Sequence, residues 1–312
     1  MADITRTDIL DAQRRILADV RQTPLLRLRG AELGIPCAEL WLKLEQLQVG
    51  GSFKARGMFN RMRSHPVPAA GVVIASGGNA GIAVAHAARA MKARCEVFVP
   101  ELSSLAKRAR LRELGAEVTV GGAGYADALA ASLARQAETG ALLMHAYDQP
   151  EVVAGAGTLA AEVETEAGLP DRALISVGGG GLIAGVASWF ASRCLVEALE
   201  SEGTPTLHEA RAAGRPVDVE VSGIAADSLG ARRIGTIAWE ITGRHVAGVH
   251  LVADAAIREA QRTLWRELRL AVEPAAALPL AALLTRTVQP RAHEKVLLVI
   301  CGANLDLATL VE

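Results

Sequence analysis

Val72-Val73-Ile74-Ala75-Ser76-Gly77-Gly78-Asn79-Ala80-Gly81, followed by the small-residue run Ile82 to Met91, reads as a strand, a turn and a helix. The same unit then repeats. Cys95-Glu96-Val97-Phe98-Val99 is a strand closed by Pro100, and Leu105 to Leu114 is a helix with Gly115 suited to its C-cap. Glu117 to Val120 is a strand, Tyr125 to Thr139 a helix and Leu142 to His145 a strand. Strands alternating with helices at this spacing predict βαβ units and a parallel sheet.

The pattern continues in both directions. Downstream, a helix is predicted from Val152 to about Ala167 and a strand over Leu174–Val177. The turn Gly178-Gly179-Gly180-Gly181 follows, then a helix from Leu182 to Ala191 and a strand over Leu195–Ala198. Ser201 to Gly223 is the least readable stretch. Helices over Ala255–Leu268 and Ala275–Thr285 and a buried strand over Val296–Ile300 close the chain. Upstream, Ile9, Ile16, Leu17 and Val20 share one face of a helix over Thr7–Val20. Thr23-Pro24 forces an extended turn. Leu40 to Leu44 reads as a buried strand, and a short helix runs from Lys54 to about Arg63, stopped by His65-Pro66. The expected fold is a doubly wound α/β protein with two mostly parallel sheets. Residues 1–55 and 148–312 are assigned to a large domain and 56–147 to a small one.

The chain has 312 residues, enough for a sizeable core, and its 51% hydrophobic and 21% charged content is a globular balance. A net charge of −1 offers no field to draw in nucleic acid or an anionic membrane, and 3% aromatics argues against base-stacking surfaces. Cys37, Cys95, Cys194 and Cys301 have no CxxC spacing, which excludes the common zinc frameworks and fits reduced thiols in a cytoplasmic protein. The opening Met1-Ala2-Asp3-Ile4-Thr5-Arg6 carries no signal-peptide pattern. No segment reaches the roughly 18 apolar residues of a membrane span.

Four features carry chemistry. Lys54, in Gly50-Gly51-Ser52-Phe53-Lys54-Ala55-Arg56-Gly57, stands beside Phe53 and Met58. Desolvation disfavours an ammonium there, and neutral lysine attacks carbonyls; the competing reading is a helix-start lysine that snorkels to water. Gly178 to Gly181 expose backbone N–H groups at a helix start, an anion cradle suited to phosphate but neither a Walker loop nor a convincing dinucleotide fingerprint. Ser76 to Gly81 is a second such turn, in which Asn79 serves equally well as an amide ligand or as a helix N-cap. Cys301, at a strand's carboxyl end, stands where α/β sheets bind ligands or is a small core hydrophobe.

Together these features resemble the fold-type II pyridoxal-phosphate enzymes, and within them the serine/threonine dehydratase group. The matching residues are Ser52 to Gly57, Ser76 to Gly81, Val177 to Leu182, Glu273-Pro274-Ala275 and Cys301-Gly302-Ala303-Asn304. The resemblance implies a tryptophan-synthase-β-like fold, pyridoxal 5′-phosphate as cofactor, a small amino-acid substrate and a homodimer. It implies that Lys54 holds the cofactor as a Schiff base and acts as acid/base at the substrate α-carbon. By the same resemblance Phe53 would lie on the pyridine ring and Asn79 would bond its 3-hydroxyl. Gly178, Gly179, Gly180 and Gly181 with Leu182 would wrap the phosphate, and Cys301 would face the ring nitrogen. Ser76, Gly77, Gly78, Asn79 and Ala80 would hold the substrate carboxylate. A thiol is not a carboxylate, so the ring should be a weak electron sink, which favours β-elimination over reactions that need a long-lived carbanion.

The implied reaction takes L-threonine or L-serine to 2-oxobutanoate or pyruvate and ammonia. Related serine racemases carry a hydroxyl next to the Ser76 equivalent, where this chain has Gly77, so racemisation should be poor. Some relatives bind a divalent cation from a glutamate matching Glu197 to an aspartate that here falls near Gly203. Glu197 is the sole metal candidate, against an ordinary strand-end acid, and no metal is expected. The end at Glu312 leaves no room for the regulatory domain of feedback-inhibited relatives. Racemisation, hydroxyaspartate dehydration, β-replacement and a non-catalytic binding role are the alternatives. Asp227 to Ala231 reads as a lid or an interface segment, and Glu273 as a helix-start acid or a catalytic one.

Overall fold

The computed structural model describes residues 3–310; Met1, Ala2, Val311 and Glu312, which enter the reading of the chain ends, lie outside them. The first helix, α1 (Arg6–Ile16), starts from a reciprocal cap in which Thr5 and Asp8 each bond the other's backbone N–H. It stops at Ile16 rather than Val20, because its inward face is complete with Ile9, Ala12 and Ile16 while Leu17 is 73% exposed. Strands β1 (Leu25–Arg29) and β2 (Glu39–Lys43) pair antiparallel. The sequence reading assigns no element to β1, although Leu26-Arg27-Leu28-Arg29 alternates with the period of a half-buried strand.

Helix α2 (Lys54–Arg63) begins at the lysine and leads into a four-stranded, fully parallel sheet. Its elements are β3 (Val72–Ala75), α3 (Asn79–Ala90), β4 (Cys95–Val99), α4 (Leu105–Glu113), β5 (Glu117–Val120), α5 (Tyr125–Thr139) and β6 (Leu142–Met144), with strand order β5-β4-β3-β6. Met58, Phe59 and Met62 of α2 join Ile74 and Ala80, Ala83, Ala85, Ala87 and Ala88 of α3 in one buried cluster. Ala128 of α5 covers the other face, against Val73 and Phe98.

The chain then returns through α6 (Pro150–Ala167), β7 (Arg172–Ser176), α7 (Gly181–Phe190), β8 (Leu195–Ser201) and α8 (Thr206–Ala213). It ends with α9 (Thr236–His245), β9 (Val246–Val252), α10 (Asp254–Leu268), α11 (Pro274–Leu284) and β10 (Lys295–Val299). These strands join β1 and β2 in a six-stranded sheet of order β1-β2-β10-β7-β8-β9, parallel except at the β1–β2 edge. Two doubly wound, mostly parallel sheets are therefore present, as expected. Helices α8 and α9 and strand β9 are absent from the sequence reading. Ala247-Gly248 breaks the apolar run of β9, an edge strand whose pairing with β8 shifts register at Val196/Glu197.

A buried charge cluster fixes where α2 starts. The fully buried Arg56 donates from Nε to Glu45 Oε2 at 2.7 Å and from Nη1 to Glu162 Oε1 at 2.6 Å. Lys43 Nζ meets Glu162 Oε2 at 2.7 Å, so two cations face two carboxylates across β2, α2 and α6. The α2 and α6 backbones touch there: a Cβ on Gly57 would stand 2.7 Å from the Val152 carbonyl oxygen. No helix among the described residues is long and apolar enough to cross a membrane.

Candidate active site

Lys54 opens α2 at the end of a turn tied to the last strand, since the Phe53 N–H donates to the Cys301 carbonyl at 3.0 Å. Its Nζ lies 5.0 Å from the centroid of the Phe53 ring and donates to the Ala146 carbonyl at 2.7 Å. Burial lowers its pKa to about 8, against the pull of Cys301 and Glu273, which hold the proton on. The lysine is thus poised between its two protonation states near neutral pH. The turn after β6 presents that carbonyl, and His145 stiffens it: Nδ1 accepts from the N–H of Tyr147 at 3.3 Å and of Asp148 at 2.9 Å.

The glycine turn joins β7 to α7 with its carbonyls directed into the protein. Gly178 O accepts from Thr206 Oγ1 at 2.6 Å, Gly179 O from the Gly235 N–H at 3.0 Å and Gly180 O from the Ala184 N–H at 2.9 Å. Among the described residues, the N–H groups of Gly178 through Leu182 find no protein acceptor. Two features demand glycine. Gly180 has φ +87°, and a Cβ on Gly179 would sit 2.3 Å from the Tyr147 ring. Five unpaired N–H groups at a helix N-terminus form a concavity for an oxyanion with several acceptor oxygens.

The second turn differs from the sequence reading in one respect. Asn79 is the first residue of α3 rather than its cap, a place taken by Gly78. Its amide is engaged across the site: Nδ2 donates to both carboxylate oxygens of Glu273 at 2.9 Å, and Oδ1 accepts from Asn304 Nδ2 at 2.7 Å. Asn304 Nδ2 also reaches the Gly50 carbonyl at 2.8 Å. Glu273 is the N-cap residue of α11, yet its side chain makes no capping bond and turns into the site. Burial pushes its pKa up to about 7, opposed by the hydrogen bond from Asn79. Cys301 Sγ lies 3.9 Å from Glu273 Oε1, and burial raises the thiol well above its ordinary value. Cys301 and the carboxyl group of Glu273 therefore share one end of the chamber.

These groups share one cleft between the two sheets. An outer part of about 480 Å³ is lined by Lys54, Ser76 to Ala80, Lys107, Tyr125 and Ala226 to Ala231. An inner chamber holds Phe53, Gly178 to Leu182, Glu273 and Cys301, and meets the outer part at Lys54, Asn79 and Gly179. Asp227 to Ala231 is therefore a wall of the cleft, where Asp227 pairs with Lys107 and Leu229 backs Gly178. A second cavity of about 480 Å³, lined by Arg193, Cys194, Arg244 and His245, opens at the amino ends of β8 and β9 and includes none of the candidate residues. Glu197 lies on β8, its carboxylate paired with Arg172 and with His250 Nε2 at 3.1 Å. No cluster of three His, Cys, Asp or Glu side chains suited to a metal occurs among the described residues.

Sequence reasoning misses Ala146, Tyr147 and the orientations of Glu273 and Asn304. A backbone carbonyl carries no side-chain signal. Tyr147 is one of only two tyrosines and follows a strand, which is a signal that could have been used. Glu273 is read only as a helix-start acid or a catalytic one, and Asn304 stands inside a quoted motif without an assigned role.

The residues present fit a phosphorylated aldehyde: unpaired N–H groups for the phosphate, and a readily deprotonated amine within the same chamber for the aldehyde. Comparison with known proteins agrees. The family model described as pyridoxal-phosphate dependent enzyme matches residues 16–302. An L-threonine ammonia-lyase of Geobacter sulfurreducens is 37% identical over 97% of this chain and 76% of its own length. A phenylserine dehydratase of Ralstonia pickettii is 34% identical over 96% of this chain and 93% of its own. The solved structure of maize serine racemase superposes with a TM-score of 0.92 at 30% identity, covering 99% of this chain and 96% of the other.

Proposed function

The chain belongs to the pyridoxal-phosphate dependent enzyme family, and we propose that it is a dehydratase of β-hydroxy amino acids with an uncharged β-substituent. L-Threonine and L-serine are the reference substrates, giving 2-oxobutanoate or pyruvate plus ammonia. The observation that carries this reading is the cleft itself, in which Lys54 stands between the unpaired N–H groups of the glycine turn and the Ser76–Ala80 turn. Lys54, Phe53, Asn79, Cys301 and the Gly178–Leu182 turn would hold the cofactor. Once bound, pyridoxal phosphate supplies the electron sink that acidifies the α-carbon of an amino acid.

The chain's own residues supply the rest. Lys54 carries the α-proton, for which a pKa of about 8 suits it to both taking and returning a proton. The Ser76–Ala80 turn, at the head of α3, orients the substrate carboxylate. Gly77 leaves the position next to Ser76 without a hydroxyl, which favours elimination over racemisation. Among the described residues lining the outer cleft, the cations are Lys54 and Lys107, and Lys107 is already paired with Asp227. With Lys54 taken up by the cofactor, a β-carboxylate would meet no unpaired cation there, which argues against hydroxyaspartate.

Oxoacid release from L-serine, L-threonine, phenylserine and hydroxyaspartate is the deciding measurement. Activity on the first three over hydroxyaspartate is expected. Lys54→Ala should remove the visible absorbance of the bound cofactor and the oxoacid release together. A cofactor-loaded protein that turns over none of the four would point to the non-catalytic alternative, and D-serine appearing faster than pyruvate would overturn the Gly77 argument.

A further inference from the structure

We propose that Ser103 is a substrate-binding residue whose hydroxyl donates to the α-carboxylate held by the Ser76–Ala80 turn, an assignment that rests on the reading of that turn given above. Ser103 lies in the short connection between β4 and α4, where its N–H donates to the Pro100 carbonyl at 3.0 Å. The neighbouring Ser104 has an evident structural task, since its Oγ accepts from the Lys107 N–H at 3.4 Å and caps α4. Ser103 has none. Its Oγ is buried without a hydrogen-bond partner, although the residue lines the outer cleft. A buried hydroxyl left unpaired is a cost that a purely structural serine does not offset, and such groups call for a partner.

The position of that hydroxyl indicates the partner. A Cβ placed on Gly77 would stand 3.0 Å from Ser103 Oγ and 3.2 Å from Val99 Cγ1. Glycine at 77 therefore leaves Ser103 facing the bare backbone of the turn, and any larger residue would press against the hydroxyl. The turn opens the N-terminus of α3, where a carboxylate is attracted by free N–H groups and by the helix dipole. A carboxylate drawn there comes within reach of an unpaired O–H, and a hydroxyl donating to an ionised oxygen is among the stronger hydrogen bonds.

The test uses the cofactor-loaded enzyme and two ligands that cannot eliminate water, L-alanine and ethylamine, with binding read from the cofactor absorbance. Ser103→Ala should weaken L-alanine binding about tenfold, the size of a charge-assisted hydrogen bond, and leave ethylamine binding unchanged. Ser103→Thr, which keeps the hydroxyl, should restore L-alanine affinity. Unchanged L-alanine affinity in Ser103→Ala overturns the assignment, and so does equal weakening of both ligands. Loss of D-serine formation at unchanged L-alanine affinity would also overturn it, by making Ser103 a proton carrier on the α-carbon. If L-alanine behaves as expected while no hydroxy amino acid is dehydrated, the dehydratase reading alone fails.

Discussion

Burial acts on Lys54 and Glu273 in opposite directions because it always penalises the charged form. It lowers the lysine to about 8 and raises the glutamate to about 7. Uptake of pyridoxal phosphate by the apo-protein should accelerate as pH rises through about 8 and then level, since only the neutral amine reacts. Glu273→Gln removes a charge that keeps the proton on Lys54, so the midpoint should move to lower pH in stopped-flow absorbance. The linked effect on folding has a definite sign. Native Glu273 holds its proton up to about 7 against an ordinary 4.5, so the native state binds more protons in that window and stability falls as pH rises through it. Lys54 does the reverse between about 8 and 10.5, where the unfolded chain binds more protons and stability rises with pH. Urea midpoints of apo Glu273→Gln should therefore lose the decline between pH 4.5 and 7.

At the level of elements, Lys54 is only as well placed as the start of α2. That start is held by Arg56, two residues on, whose guanidinium is fully buried between Glu45 and Glu162. Replacing it with methionine leaves two buried carboxylates facing Lys43 alone. Arg56→Met should cost about 3–5 kcal/mol in urea unfolding, the range for stripping one partner from a buried pair. Lysine should rescue poorly, having no planar fork to serve two carboxylates. The sequence marked α2 and its arginine but not this cluster, because its members come from β2, the segment after it, α2 and α6 and meet only in the folded chain. Most of the readable strands are buried along their length, and the exposed edge strand β5 was legible from the regular alternation of strand and helix on either side of it. The unread ones, β1 and β9, are the two edges of the six-stranded sheet, where half-exposure and Ala247-Gly248 dilute the apolar signal.

Across the whole molecule, one cleft lies between two sheets, and Lys107 with Asp227 bridges its mouth from α4 to the segment between α8 and α9. The two side chains are 31% and 60% exposed, so the pair is worth about 0–1 kcal/mol to folding. On the proposed reading, its consequence would be for substrate choice. Asp227→Asn should leave the urea midpoint nearly unchanged while freeing Lys107. The ratio of kcat/KM for hydroxyaspartate over threonine should then rise several-fold, a change within the span of about 0.5–1 kcal/mol expected of one partly exposed charge. A ratio that stays put would show that Lys107 does not reach the β-substituent.

The sequence by itself determined the alternation of strand and helix, the two glycine turns at strand ends and the presence of an unusual lysine. Those are local: each depends on periodicity or on residues adjacent in the chain. Only the tertiary structure decided what the site groups touch. Asn79 and Glu273 are 194 positions apart and bond directly, and Lys54 finds the Ala146 carbonyl 92 positions away. Such partners depend on how two sheets close over one cleft, and on which polar atoms that closure leaves without water. No spacing along the chain encodes them.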